Sequence, residues 1–192
     1  MFRTRIGEHI ELGLVEHRHA RELFDLIEAN RPHLRAWMNW VDRRSTPAEV
    51  AAFVAQSLKQ FALGQGVHAG IWEHGKLCGM INCFPIDWPN KAACLEYWLA
   101  ASHQGRGLMS ASCRAMIEYS FGTLGLHRLT IRCASENRRS RAIPERLGFT
   151  FEGLARDAEW LYDHFVHHAV YGLVKGDKIG GAPVVENRPV SG

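Results

Sequence analysis

The stretch Leu95-Glu96-Tyr97-Trp98-Leu99-Ala100-Ala101-Ser102-His103-Gln104-Gly105-Arg106-Gly107-Leu108-Met109-Ser110 passes from a strand through a glycine turn into a helix. Its first six residues read as a strand, and His103 to Gly107 read as the turn. Beyond them Met109, Cys113, Met116, Ile117 and Ser120 or Phe121 recur at helical spacing, which predicts a helix over 108–124 with one core face. A helix that starts at a glycine turn presents unpaired N–H groups, and its dipole favours negative charge there. Glycines let the backbone approach anionic oxygens without a Cβ in the way. The expectation is therefore a phosphate-type site at this helix start. Two nucleotide motifs are excluded. A Walker A loop requires Lys-Ser/Thr after its last glycine, whereas Gly107 is followed by Leu108 and Met109. The dinucleotide fingerprint requires a third small residue, which Ser110 supplies only loosely, and parallel βαβ surroundings that the preceding hairpins do not offer.

Outward from this stretch the pattern alternates between sheet and helix. Upstream, Val67 to Trp72 and Leu77 to Phe84 read as strands around a hairpin turn at Glu73-His74-Gly75-Lys76. Asp87-Trp88-Pro89-Asn90 reads as the turn into the strand over 92–101. Thr46-Pro47-Ala48-Glu49 is a helix start, with Thr46 as N-cap, Pro47 in the first helical position and Glu49 closing a capping box. Before it, 10–14 reads as a strand, 19–30 as a helix ended by Pro32, and 33–40 as a short second helix. Downstream come a strand at 127–134, a helix at 138–147 closed by Gly148, and strands at 150–159 and 165–174. This order implies a single α/β domain with a mixed, mostly antiparallel central sheet flanked by helices. The domain is expected to span 5–175. Residues 176–192 are rich in Gly, Pro and Asn without periodicity and are expected to form a mobile tail.

The 192 residues suffice for one domain with its own core. Hydrophobic residues make up 46% and charged residues 22%, ordinary for a soluble globular chain. A net charge of +3, with Lys and Arg dispersed, argues against a nucleic-acid binder and accommodates an anionic small molecule. Five cysteines, each in an apolar run and none in C-x-x-C spacing, read as buried free thiols of a reducing compartment. No signal peptide and no membrane-length apolar stretch is evident, so the expected location is the cytoplasm, away from membranes.

The segment EYWLAASHQGRGLMS, Glu96 to Ser110, resembles motif A of the GNAT acetyltransferases, whose pattern is Arg/Gln-x-x-Gly-x-Gly/Ala. Gln104 and Gly107 match it. Met109 stands where the general pattern has Gly or Ala, and a methionine there is common in the Rim-type subgroup, which acetylates N-termini of ribosomal proteins. CASENRRSRAIPERLGFTFEG, Cys133 to Gly153, is similar to the family's second cofactor segment, with Asn137 and Ser140 in N-x-x-S spacing and Leu147-Gly148-Phe149 following. Asp157-Ala158-Glu159-Trp160-Leu161 and Asn39-Trp40 also resemble the Rim-type enzymes, among which the ribosomal-protein-serine N-acetyltransferases are most alike. The similarity covers about residues 5–175.

What the resemblance implies is a GNAT fold, acetyl-CoA as cosubstrate and direct attack of an amine on the thioester. The strand before the turn would diverge from its neighbour. Trp98, Leu99 and Ala100 would then pair with the pantetheine arm, and the N–H of Leu99 would polarise the thioester carbonyl. Backbone amides of Gln104, Gly105, Arg106, Gly107, Leu108, Met109 and Ser110 would hold the pyrophosphate, with Asn137 as a further cofactor contact. Glu159, directly or through a water, would serve as the base and Ser140 as donor to the leaving thiolate. Many relatives use a tyrosine on the helix after Ser140 for that role, but Ile143, Pro144 and Leu147 stand there. An N-terminal amine has a pKa of ~7.7–8.0 and a lysine ~10.4, so deprotonating lysine at neutral pH costs about 3 kcal/mol more. A modest base therefore suits N-termini. A homodimer is a further expectation, since related enzymes are often dimers.

Other readings compete. The acceptor could be a polyamine, an aminoglycoside or an aminoacyl nucleotide, or the chain could be a CoA-binding module without turnover. Glu159 could be a solvated strand residue, Asn137 a turn residue and Ser140 a helix cap. Trp37, Trp40 and Trp88 could line an acceptor groove or simply pack. His164-x-x-His167-His168 suggests a metal site, but no acidic or cysteine ligand completes a set, so no metal is expected.

Overall fold

In the computed structural model, which describes residues 3–180, one sheet carries two helical layers. The alternation of the strand β5 (Ala92–Leu99) explains why. Leu95 and Leu99 pack with Met109, Met116 and Ile117 into one apolar layer. Trp98 points to the opposite face and packs with Leu23, Ile27, Val50, Val54 and Met80. Buried on both faces, the middle of the sheet is held by two independent apolar interfaces.

The strands run β1 (Arg3–Arg5), β2 (Ile10–Leu14), β3 (Val67–Glu73), β4 (Lys76–Asp87), β5, β6 (Arg128–Ala134), β7 (Thr150–Leu161) and β8 (His164–Val174). Their spatial order is β1-β2-β3-β4-β5-β6-β8-β7. Every neighbouring pair is antiparallel except β5 and β6. One parallel pair in an otherwise antiparallel sheet requires a crossover, and α4 (Leu108–Gly122) supplies it. Helices α4 and α5 (Arg138–Leu147) cover one face, and α1 (Ala20–Ala29), α2 (Arg31–Arg35) and α3 (Pro47–Ala62) cover the other.

Local chemistry sets the boundaries. The Thr46 hydroxyl accepts from the Glu49 N–H at 3.2 Å, and the Glu49 carboxylate accepts from the Thr46 N–H at 2.9 Å. This capping box contributes about 1 kcal/mol. His74 and Gly75 both have positive φ, at 50° and 74°, as the tight β3–β4 turn requires. Two details differ from expectation. Pro32 does not end a helix but sits in the first turn of α2, where its missing N–H leaves no hydrogen bond unmade. Helix α2 consequently starts at Arg31 and closes at Arg35, with the chain continuing through a 3-10 turn at Val41–Arg43. Strand β1 carries only the polar triplet Arg-Thr-Arg, too short for alternation to reveal.

Of the expected tail, Gly180 donates its N–H to the Leu147 carbonyl at 3.1 Å and returns to the end of α5. Residues 181–192 of that tail lie outside the described residues.

Candidate active site

The parallel pairing of β5 with β6 runs from Ala92 opposite Arg128 to Leu95 opposite Ile131 and stops there. Both strands continue, to Leu99 and Ala134, so the sheet opens into a wedge. Beyond Leu95 the β6-facing edge of β5 has no ladder partner, while the other edge stays paired to β4 through Met80–Trp98 and Gly79–Leu99. An unpaired strand edge inside a cleft is a row of donors and acceptors waiting for an extended ligand.

A cleft of about 820 Å³ occupies the wedge. Trp98 and Leu99 line it from β5, Gln104, Gly105 and Gly107 from the turn, and Leu108, Met109 and Ser110 from the first turn of α4. Asn137, Ser140 and Ile143 line it from α5, and His33 and Trp37 from the N-terminal helices. Gly105 and Gly107 have φ of 75° and 80°, and Gly107 is the N-cap of α4. A Cβ at either would meet nothing within 4 Å, so what glycine supplies here is backbone conformation, not clearance from protein atoms. No side chain caps α4, which leaves its first N–H groups facing the cleft for an anion.

Of the expected cofactor residues, Ala100 and the side chain of Arg106 do not line the cleft. Ala100 is buried and donates its N–H to the Cys78 carbonyl at 2.8 Å. The Arg106 guanidinium turns away and forks onto Glu73, at 2.9 and 2.6 Å. The Gln104 side chain bridges the cleft walls: its amide contacts His33 at 2.8 Å and its carbonyl accepts from Arg139 at 2.9 Å. Arg146 donates to the Ser110 hydroxyl at 2.9 Å. Arg139 and Arg146 therefore ring the anion site, a charge complement that the sequence reading passed over.

Asn137 is the N-cap of α5, accepting from the Ser140 N–H at 3.1 Å, so the cap belongs to Asn137 and not to Ser140. The Ser140 hydroxyl reaches instead to Tyr97, at 3.5 Å, and the Tyr97 hydroxyl donates to the Ser140 carbonyl at 3.1 Å. Burial holds the Tyr97 hydroxyl well above its ordinary range, so it stays protonated as a donor. Sequence reasoning sought a tyrosine on α5; the fold brings one from β5.

Glu159 stands on the other side of the wedge, outside the lining of that cleft. Its carboxylate is 2.9 Å from His168 Nε2. It also feels Glu96, which lies in a polar row across the sheet: His68 opposite Asn82, and Asn82 opposite Glu96. The Glu96 carboxyl is raised, first by lost hydration and then by the Glu159 charge, against the opposing pull of Asn82 and Arg44. Arg44 lies over the rings of Trp40 and Phe53 at 4.1 and 3.7 Å, and burial lowers it to about 10. Trp40 packs on Trp98 with ring centroids 6.1 Å apart, whereas the half-exposed Trp88 donates its ring N–H to the Gly64 carbonyl at 2.7 Å. Nothing in the sequence joins Glu96 to Glu159, whose charge reaches Glu96 although β6 and β8 lie between their strands in the sheet. Among the described residues no group of three His, Cys, Asp or Glu is placed to hold a metal. His164, His167 and His168 instead pair with Asp163, Asp157 and Glu159.

The family model for the acetyltransferase (GNAT) domain matches residues 9–150. The chain belongs to the GNAT acetyltransferases. A Bacillus subtilis relative, YdaF, whose name provisionally assigns it ribosomal N-acetyltransferase activity, is 37% identical over 91% of this chain and 96% of its own. The ribosomal-protein-serine acetyltransferase of Escherichia coli is 30% identical over 88% of this chain and 95% of its own. Among solved structures, RimL, described as the ribosomal L7/L12 α-N-protein acetyltransferase in complex with coenzyme A, superposes with a TM-score of 0.86 at 26% identity, covering 88% and 96% of the two chains. The activity is N-acetyl transfer from acetyl-CoA. The GNAT site described above fits that cosubstrate: an open strand edge for the amide-bearing arm, uncapped helix amides for the pyrophosphate, and Arg139 and Arg146 beside them.

Proposed function

We propose that the protein acetylates the N-terminal amine of a protein, with a ribosomal protein as the first candidate. The observation that carries this reading is a wedge with cofactor chemistry on one side and a lightly armed acceptor side on the other. A base suited to N-termini needs no extreme environment, and Glu159 beside His168 supplies a carboxylate of that kind. The two relatives named above support the ribosomal acceptor. Residue roles follow the same division. The edge of Trp98 and Leu99 receives the pantetheine arm, and the Leu99 N–H polarises the thioester carbonyl. The amides from Gln104 to Ser110 hold the pyrophosphate, and the Ser140 hydroxyl, turned from Tyr97 to the cofactor, donates to the leaving thiolate. The test is incubation with acetyl-CoA and peptides beginning with Ser or Ala, read by CoA release and by mass. No release across such a panel rejects the reading.

A second reading has an observation in its favour. The Glu159 charge reaches Glu96, and a site with two carboxylates suits a small cationic amine. Polyamines in the same panel decide between the two. We place the protein in the cytoplasm: its five thiols are free, and no helix among the described residues is long and apolar enough to cross a membrane. A homodimer is proposed on β7, an edge strand that exposes Phe151, Leu154 and Trp160. A sedimentation mass of one chain would reject it.

A further inference from the structure

Strand β7 is not regular where it carries Glu159. Its ladder with β8 shifts between Ala155 and Glu159, and Asp157 inside the irregularity has a φ of 47°. Two adjacent histidines of β8 meet this bulge. His167 Nδ1 accepts the Asp157 backbone N–H at 2.9 Å. His168, on the opposite side of its strand, places Nε2 2.9 Å from Glu159 Oε2. Glu159 lies opposite Val166 in the ladder, so His168 is its diagonal neighbour on the same face. Both members of the pair are mostly enclosed, with side-chain exposures of 15% for His168 and 25% for Glu159.

A bulge re-aims the side chain beside it, and a catalytic base must then be held in its productive geometry by its neighbours. We propose that His168 is a positioning residue of the transfer reaction: its Nε2–H donates to Glu159 Oε2, fixing the carboxylate and leaving Oε1 for the acceptor ammonium. This rests on the reading of Glu159 as the base. The proton balance is simple. The ammonium loses one proton to Oε1, which Glu159 returns to solvent. The neutral amine attacks the thioester carbonyl, the C–N bond forms and the C–S bond breaks. The nitrogen gives up its second proton as the amide forms, and the CoA thiolate takes up one on leaving. Nε2–H donates in both the neutral and the cationic ring, so the hold persists across the working range. His167 has the complementary task of pinning the backbone of the bulge. The double histidine thus acts as a mount for one carboxylate.

The charged groups around this pair are few. Strand β7 contributes Glu159 and, two positions before it on the bulge, Asp157, whose carboxylate lies 3.2 Å from His167 Nδ1. From β5 comes Glu96, with Arg44 facing it from the loop after α2. On β6 the residue opposite His168 is Ala134, and Arg132 lies two positions before it. With the His168 donor removed, the Glu159 carboxylate loses the hydrogen bond that holds it and stabilises its charged form.

Three variants test this: His168→Leu, His168→Gln and Glu159→Gln. Rates are measured from pH 5.5 to 9 with both substrates saturating, and acetyl-CoA affinity is measured separately by calorimetry. His168→Leu is expected to lower kcat at least tenfold and to move its acid limb to higher pH, with acetyl-CoA affinity unchanged. His168→Gln keeps a donor and is expected to recover most of the rate and the wild-type limb. ¹⁵N NMR of the unliganded protein should show His168 Nε2 protonated, with its resonance displaced in Glu159→Gln. A His168→Leu enzyme with the wild-type kcat and acid limb overturns the proposal, and so does an Nε2 without a proton. If Glu159→Gln itself keeps full activity, the base assignment fails first, and the two failures are distinguishable.

Discussion

The two sides of the wedge are built in different ways. The cofactor side comes from contiguous chain: β5, the turn at 104–107 and α4 follow one another, and α5 adds its first turns. The side proposed for the acceptor draws on distant pieces: His68, Asn82 and Glu96 from three strands, Arg44 from a loop, and Glu159 and His168 from a hairpin at the other end of the chain. A local device is positioned by its own backbone, whereas a non-local one depends on register and on partners that hold it. This predicts that damage to the cofactor side should appear in acetyl-CoA affinity, and damage to the acceptor side in turnover and in pH dependence.

The largest expected effect lies on the acceptor side. Glu159→Gln keeps the shape of the side chain and removes the proposed base, so kcat should fall about 100-fold, at the lower end of what general bases contribute. Acetyl-CoA affinity by calorimetry should stay within twofold. A loss of affinity that parallels the loss of rate would mean that the two sides are coupled, and the comparison breaks.

This division also explains what the sequence disclosed. Gly105 and Gly107 were legible because a positive φ at a helix start leaves a local signature, and the box from Thr46 to Glu49 was legible for the same reason. The sheet followed from alternation along Leu95, Tyr97 and Leu99. Tyr97 beside Ser140 was not legible, since 43 positions separate them and only the splay brings them together. The turn of Arg106 toward Glu73, 33 residues away, is hidden for the same reason. The influence of Glu159 on Glu96 needs three registers and a bulge to be known, and each register slip would move a side chain to the other face.

The next effect is a matter of pH. Burial lowers His68 to about 4, and its Nε2 sits 2.8 Å from the Gln60 side-chain oxygen. The folded state therefore resists a proton that the unfolded chain accepts near 6.5. Stability from this group is complete above pH 6.5 and declines as the pH falls toward 4. Between pH 7.5 and pH 5 the loss should be about 2 kcal/mol. Chemical denaturation at both values measures it, and His68→Gln should flatten the dependence. An unchanged slope in that variant would show that other groups govern the acid side.

A smaller effect is expected on the cofactor side from Gly107→Ala. The Cβ meets no neighbour, so the cost is conformational, about 1–2 kcal/mol for an L-residue held at positive φ. If the turn keeps its shape, this appears as lost stability. If it relaxes, acetyl-CoA affinity falls by roughly tenfold, since about 1.4 kcal/mol corresponds to a factor of ten. In both cases kcat at saturating acetyl-CoA should hold, because the acceptor side is untouched. A selective loss of kcat would contradict the separation of the two sides.

The smallest effect concerns the long-range contact that the cofactor turn makes with the β3–β4 hairpin. Arg106 is half exposed and Glu73 largely buried, so the fork between them ties the turn to the β3–β4 hairpin. His103, from the same turn, lies 3.7 Å from Glu73 and adds to the tie when protonated. Pairs at a solvent boundary are worth at most about 1 kcal/mol, and salt screens them. Glu73→Gln should therefore raise the KM for acetyl-CoA about two- to fivefold, with kcat unchanged. The difference from wild type should shrink as salt is raised from 0.05 to 0.5 M. A change beyond about tenfold would mean that the turn depends on a distant strand for its shape, as the acceptor side does. No change at all would leave the conformation of the two glycines and the start of α4 as sufficient to shape the site.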